Sequence, residues 1–122
     1  MATLVTLRNP LGSVVFQEPG LTTTPVAMAL TEQKYYHFEL DNTVNSAITY
    51  FKFFQTATAP TLASDTPRVI IPVPASTKSF VTLPAGLYQA TGMFVIATST
   101  LANATGGAPT APATAVGLTV LG

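Results

Sequence analysis

The residues best suited to chemistry lie in one short segment, between positions 32 and 41. It holds Glu32, Lys34, His37, Glu39 and Asp41, and His37 is the single histidine of the chain. Residues two apart in a β-strand share a face, so His37 and Glu39 would stand together as an acid–base pair or as two metal ligands. Alternating polar residues are also typical of a strand with one solvated face, and we favour that simpler interpretation.

Other kinds of catalytic or metal chemistry lack their residues. The chain has no cysteine, no G-x-S-x-G turn for a nucleophile, and no Asp-rich loop with the spacing of a calcium site. Gly106 and Gly107 have no lysine nearby, as a phosphate-binding loop would require. We therefore expect no catalytic residue, no cofactor and no metal, and we predict that the protein is not an enzyme.

Charged residues are scarce throughout and absent from the C-terminal third. They make up 8% of the 122 residues, and none follows Lys78, whereas soluble proteins usually have about a quarter. The formal net charge is zero, so long-range repulsion between molecules is weak. The basic residues are scattered singly, which argues against a nucleic-acid partner. This composition favours a surface that is covered by other protein.

Apolar residues are abundant, at 48%. No run of them approaches the roughly 20 residues that a membrane-spanning helix requires. The first seven positions lack the basic and apolar regions of a signal peptide. We therefore expect no membrane contact and synthesis in a cytoplasm.

The turn signals and β-favouring residues predict an all-β fold. Ten prolines and eight glycines interrupt segments rich in Thr, Val, Ile, Tyr and Phe, which suit half-buried strands. The predicted strands are 3–7, 13–17, 26–31, 34–40, 47–55, 68–73, 78–83, 88–98 and 116–121. Short strands at this spacing predict a single domain, 1–122, folded as an antiparallel, jelly-roll-like β-sandwich.

Two neighbouring predicted strands, 34–40 and 47–55, carry most of the aromatic residues. We assign one alternating face of each strand to the core, namely Tyr36, Phe38, Leu40, Ile48, Tyr50 and Phe54. The opposite face of the second strand, with Phe51 and Phe53, is predicted to contact another subunit. Both faces of that strand are apolar, so their roles can be exchanged without violating the pattern.

The connecting segments give further predictions. The polar turn 41–46 predicts a hairpin between the two aromatic strands, and 56–67 predicts a crossing between sheets. Because proline cannot donate to a ladder, Pro72 predicts that 68–73 is an edge strand or an extended arm. Segment 99–114 is uncharged and rich in Ala, Thr, Gly and Pro. We expect it to be a long loop against a partner, with Leu101, Pro109 and Pro112 in the interface.

A succession of short motifs resembles a known family. They are Tyr50-Phe51-Lys52-Phe53-Phe54, Ala59-Pro60-Thr61-Leu62, Thr66-Pro67, Ile71-Pro72-Val73-Pro74-Ala75 and Leu83-Pro84-Ala85-Gly86-Leu87. Over about residues 48–122 this order is similar to that of small all-β structural proteins of tailed-phage virions. The resemblance implies a virion role, as a module that decorates or cements a capsid or that belongs to a tail assembly.

The resemblance, together with the scarcity of charge, implies a non-enzymatic capsid decoration protein of a bacteriophage. We expect a homotrimer on the capsid surface that holds coat subunits together through apolar contacts, with the protein itself and a viral coat protein as partners. A tail, baseplate or fibre component is the first alternative. A carbohydrate-binding β-sandwich that uses the ring of Tyr35 or Tyr50 is the second.

Overall fold

Eight strands in two antiparallel sheets form the regular structure of the protein. The computed structural model describes residues 14–101 and 109–122, so the predicted strand 3–7 lies outside the described residues. The strands are β1 (Val14–Leu21), β2 (Val26–Ala29), β3 (Gln33–Asp41), β4 (Thr49–Phe54), β5 (Val69–Val73), β6 (Lys78–Gln89), β7 (Met93–Thr98) and β8 (Val116–Leu121). A search of these residues for a helix long and apolar enough to cross a membrane finds none. The predicted all-β sandwich is confirmed.

The two sheets contain four strands each. Sheet 1 has the order β1-β8-β3-β6, and sheet 2 has the order β2-β7-β4-β5. The pairing is nested: β4 pairs with β5, β3 with β6, β2 with β7 and β1 with β8. Of the connections between described strands, only β4–β5 joins two neighbours within one sheet, and each of the others passes from one sheet to the opposite one.

This topology corrects two of the predicted connections. β3 and β4 lie in opposite sheets, so the segment between them is a crossing and the predicted hairpin at 41–46 is wrong. β4 and β5 are paired neighbours, so the predicted crossing at 56–67 is wrong as well. A short polar turn suits either connection, because its composition fixes the reversal of the chain but not the sheet that the next strand joins.

The core lies between the sheets and is formed by alternate residues of both. Phe38 and Leu40 come from sheet 1, and Phe51 and Phe53 come from sheet 2; all four are buried. The rings of Phe38 and Phe53 meet edge to face across the sandwich, with their centroids 5.3 Å apart. The core assignment of Phe38 and Leu40 is confirmed, whereas the two faces of β4 are exchanged relative to the prediction.

A bulge in β6, opposite Tyr36 of β3, changes which tyrosine enters the core. Tyr35 pairs with Leu87 and His37 pairs with Thr82, so four residues of β6 lie opposite Tyr36 alone. Tyr35 and Phe38 both turn inward, with ring centroids 6.2 Å apart, and Tyr36 remains half-buried. The core assignment of Tyr36 is therefore wrong. Strict alternation fails where a bulge adds residues to one strand.

The outer side of sheet 2 is covered by the long β4–β5 connection. Phe54, Phe94 and Ile96 form a second buried cluster there, and Leu62 of the connection packs on it. Lys52 belongs to the same side and is fully buried, and this burial lowers the pKa of its ammonium group. Phe54 is thus buried as predicted, but outside the main core. Ile48, assigned to the core, is 39% exposed and precedes β4.

One proline and one glycine account for two features of the strands, an edge position and a tight turn. β5 is an edge strand of sheet 2, which confirms the prediction from Pro72. The predicted strand 88–98 is divided, because its first residues belong to β6 and a tight turn at 90–92 precedes β7. Gly92 lies in that turn, where an added Cβ atom would stand 2.4 Å from the carbonyl oxygen of Thr56. Only glycine fits at this approach.

Candidate functional site

The segment with the most ionisable residues forms the outer face of sheet 1. His37 is 7% exposed, shares a hydrogen bond of 2.9 Å with the Thr82 hydroxyl through Nδ1, and stacks on Phe80. Glu39 lies two residues away on the same face and makes no hydrogen bond to His37. His37 is therefore held by its neighbours, unlike the solvated residue that the sequence predicted. The described residues contain no group of three or more metal-binding side chains close enough to hold an ion.

The predicted interface residues of β4 are part of the core. Phe51 and Phe53 are both 0% exposed and pack between the sheets. The assignment of these two side chains to a subunit interface is wrong, because a partner could not reach either without opening the sandwich. Truncating a buried phenylalanine typically costs about 3–5 kcal/mol, so their role is to stabilise the fold.

The other predicted interface residues lie in the β7–β8 connection. Leu101 is 58% exposed, whereas Pro109 and Pro112 are buried against the chain itself. Ser99 donates its backbone N–H to the Thr110 carbonyl at 2.9 Å, which closes the base of the connection. Leu101 is thus the member of this set whose side chain is available to a partner.

Loops from both sheets meet at one end of the sandwich, which we call the uncharged end. It is formed by the crossings 22–25, 42–48 and 74–77 and by the described parts of 99–115. None of these segments contains a charged residue. At the opposite end, the connections 30–32 and 55–68 contain Glu32, Asp65 and Arg68. The connecting segments without charged residues therefore lie together at one end of the molecule.

Hydrogen bonds between the loops hold the uncharged end together. Asn45 binds both backbone groups of Thr114, donating from Nδ2 to the carbonyl at 2.9 Å and accepting the N–H at Oδ1 at 2.8 Å. Ser76 donates its N–H to the Asn45 carbonyl at 2.8 Å, and Ala97 donates its N–H to Thr22 at 2.9 Å. All four segments are therefore joined, either to each other or to the adjoining strand.

Asn42 is the centre of this network and is fully buried. Its Nδ2 group lies 3.0–3.1 Å from three carbonyl oxygens, those of Ala47, Val73 and Pro74. Its Oδ1 atom accepts hydrogen bonds from Asn45 Nδ2 and from the Thr49 hydroxyl. This orientation of the amide is required, because the reversed one would direct Oδ1 at three carbonyl oxygens. The network makes the loops a rigid surface.

Large apolar side chains project from this rigid surface. Val44 is 59% exposed, Leu101 58% and Ile48 39%. A small cavity between the loops is lined by Ile48, Ser99 and Pro112, which places the two connections side by side. The sequence predicted Leu101 as an interface residue, gave no role to Val44 and assigned Ile48 to the core. The absence of charge in 42–48 was the signal that would have identified them.

The rings proposed for carbohydrate stacking are not well placed for that role. Tyr35 is fully buried in the core, so its ring cannot meet a ligand, and Tyr50 is half-buried in β4. The exposed aromatic rings of the described chain are Phe80 and Tyr88, both on β6. The alternative based on Tyr35 is therefore wrong.

No family model, no curated protein and no solved structure matches the chain.

Proposed function

We propose that this protein is a non-enzymatic structural subunit that decorates or cements a virion capsid. The observation that carries the proposal is the uncharged end, where Val44, Ile48 and Leu101 project from loops that hydrogen bonds hold in place. Exposed apolar side chains on a preorganised surface lose little conformational entropy when a partner covers them. A viral coat protein and further copies of this chain, arranged as a trimer, are the partners we propose.

The topology supports the same proposal. Nested pairing of eight strands in two sheets is the arrangement of a jelly roll, which is an architecture of viral capsid domains and of lectins. We infer that the jelly-roll-like part of the sequence prediction also holds. The fold alone does not carry the function, because the same architecture serves several purposes.

Sedimentation of the purified protein tests the assembly surface. The double variant Ile48→Asp, Leu101→Asp places two carboxylates on the uncharged end, and we expect it to sediment as a monomer where the wild type forms an oligomer. Leu30→Asp is the matched control, since Leu30 is 61% exposed at the opposite end, and it should leave the oligomer intact. A wild type that stays monomeric at about 100 μM and does not bind to coat-protein shells would contradict the proposal.

The location in the virion separates the proposal from its nearest alternative. Negative-stain images of virions carrying a labelled copy should show the label over the capsid shell. Label on the tail or baseplate would instead favour the alternative that the protein belongs to a tail assembly.

A further inference from the structure

The outer face of sheet 1 carries a cleft with a volume of about 320 Å³. Its walls come from β1, β3, β6 and β8, and it extends to Val44 at the border of the uncharged end. Gln17, Thr119 and Glu39 follow one another across three strands of this face, and Phe80 comes next on β6. One row of side chains therefore runs from an amide to an aromatic ring.

The depth of the cleft depends on Gly117. This residue pairs with Asp41 in the centre of the sheet, and it is the one glycine of the two central strands, β3 and β8. An added Cβ atom would lie 3.5 Å from Asp41 Cβ, which is an ordinary contact. The fold therefore tolerates alanine at this position, and the missing side chain leaves space above the sheet.

Phe80 provides a fixed aromatic surface beside the cleft. It is 59% exposed, although exposing a phenylalanine ring to water is unfavourable. His37 stacks beside it, with ring centroids 6.1 Å apart and an angle of 24° between the planes. Lys78 Nζ lies 5.7 Å from its centroid. Two neighbours thus hold the ring in one orientation while most of it remains open.

The polar groups of the cleft differ in how far they are already engaged. Asp41 accepts the N–H and the hydroxyl of Thr43, at 3.0 and 2.6 Å, and Glu18 accepts the N–H of Gly20 at 3.0 Å. These hydrogen bonds from Thr43, with a smaller contribution from Lys78, lower the pKa of Asp41. The side chain of Glu39 has no hydrogen bond to any described residue. Its carboxylate lies next to Phe80 in the row and is free to accept.

We propose that this cleft binds a neutral oligosaccharide. A sugar ring has a face of C–H bonds that packs on an aromatic ring and a rim of hydroxyl groups that need acceptors and donors. Phe80 matches the C–H face. Glu39 accepts from hydroxyl groups, and Gln17 and Lys78 can donate to them. This site lies on the sheet face and shares Val44 and Ala115, at its border, with the proposed assembly surface.

The charges of the cleft favour neutral sugars over acidic ones. Glu18, Glu39 and Asp41 outweigh Lys78, so sulfated or sialylated glycans would be repelled. A basic peptide is the competing ligand. The proposal favours the sugar because two of the three carboxylates are already hydrogen-bonded within the chain. In addition, Lys78 already lies over the ring of Phe80 and would repel a second ammonium group there.

Binding is tested with an array of neutral, sulfated and sialylated glycans, followed by NMR titration with cellotetraose, maltotetraose and chitotetraose. We expect retention of neutral glycans only, and shifts of the amide signals of Glu39, Phe80 and Gly117 with at least one tetrasaccharide. Phe80→Ala should weaken that binding by about tenfold or more. Tyr88→Ala is the matched control, because Tyr88 is 45% exposed at the far end of β6, and it should change the affinity less than about twofold.

Two further variants distinguish the possible outcomes. Gly117→Ala should fold normally and weaken sugar binding by filling the cleft, whereas Leu101→Asp should alter assembly without altering sugar binding. Binding of hexalysine that is stronger than that of any sugar, and that falls with salt and with Glu39→Gln, would overturn the proposal in favour of a basic peptide. Absence of any retained neutral glycan, or sugar binding unchanged in Phe80→Ala, would overturn it outright.

Discussion

Tyr35 shows how a single hydroxyl group can oppose the burial of its ring. The ring packs in the main core, but the hydroxyl oxygen is buried without a hydrogen-bond partner among the described residues. A buried polar group without a partner typically costs about 1–3 kcal/mol. Burial also disfavours the charged form and raises the pKa of Tyr35 from 10.0 to about 12.

We predict that Tyr35→Phe leaves the free energy of unfolding unchanged or increases it by about 1 kcal/mol at pH 7. The variant should also be less sensitive to alkali. Because the folded pKa lies above the unfolded one, the folded wild type holds more protons between pH 10 and 12, and its stability falls as the pH rises through that range. Urea unfolding of both proteins at pH 9 and pH 11 measures the difference, which we expect to grow by about 1.3 kcal/mol. An equal loss in both proteins would show that Tyr35 does not titrate in this way.

Asn42 links three elements through one amide group, and its loss should therefore be costly. Asn42→Asp keeps the shape but replaces the donor Nδ2 with an oxygen that faces the carbonyls of Ala47, Val73 and Pro74. We expect a loss of about 3 kcal/mol or more in the free energy of unfolding, measured in urea at pH 7. Ser46→Ala, an exposed change in the same crossing, is the control and should cost less than about 0.5 kcal/mol. A stability of Asn42→Asp equal to that of the control would contradict the role of the network.

Gly92 and Gly117 form a matched pair at the scale of strands and turns. A Cβ atom at Gly92 would meet the Thr56 carbonyl at 2.4 Å, whereas one at Gly117 would meet its nearest neighbour at 3.5 Å. We expect Gly92→Ala to lower the free energy of unfolding by about 2 kcal/mol or more, because the β4–β5 connection must move away from the turn before β7. Gly117→Ala should lie within about 0.5 kcal/mol of the wild type. Urea unfolding of the two variants side by side decides the matter.

The strands were predictable where one physical signal determined them. β8 begins and ends at the predicted residues, since an alternating apolar segment follows a long uncharged stretch. Pro72 identified an edge strand because proline lacks the donor that a central strand needs. The bulge opposite Tyr36 was not predictable, because Pro84 and Gly86 are equally compatible with a turn between strands. The exchange of faces in β4 follows from the covering of its outer side by the β4–β5 connection, which its sequence did not reveal.

The site was less predictable than the fold, for a physical reason. Val44, Ile48 and Leu101 come from connections that are far apart in the sequence, and only the nested topology brings them to one end. The sequence did not identify Phe80 as a surface residue. Its exposure depends on two facts of the fold, namely that β6 is an edge strand of sheet 1 and that Phe80 lies on the outer face of that sheet. Leu101 was predicted as an interface residue because its uncharged surroundings extend over a long stretch, and this property can be read from the sequence without knowing the topology.

At the scale of the whole molecule, the distribution of charge makes a prediction about salt. The uncharged end has no ionic group in its loops, and the nearest charges along the chain are Asp41 and Lys78 at its border. If this end forms the oligomer, apolar contact and not ion pairing holds the subunits together. The sedimentation coefficient of the oligomer should therefore stay constant between about 0.05 and 1 M NaCl. Dissociation at high salt would indicate an interface that uses charged faces instead.

The position of β8 has a consequence for how the protein acquires its structure. β8 follows the other seven described strands in the sequence, yet it lies in the middle of sheet 1, between β1 and β3, so these two strands gain their shared neighbour only when β8 has been made. Val14 must find Leu121 although six other strands lie between them in the sequence, and contacts so far apart form slowly. Until β8 is in place, β1 has no partner in sheet 1 and one edge of β3 is unpaired, and unpaired strand edges promote aggregation.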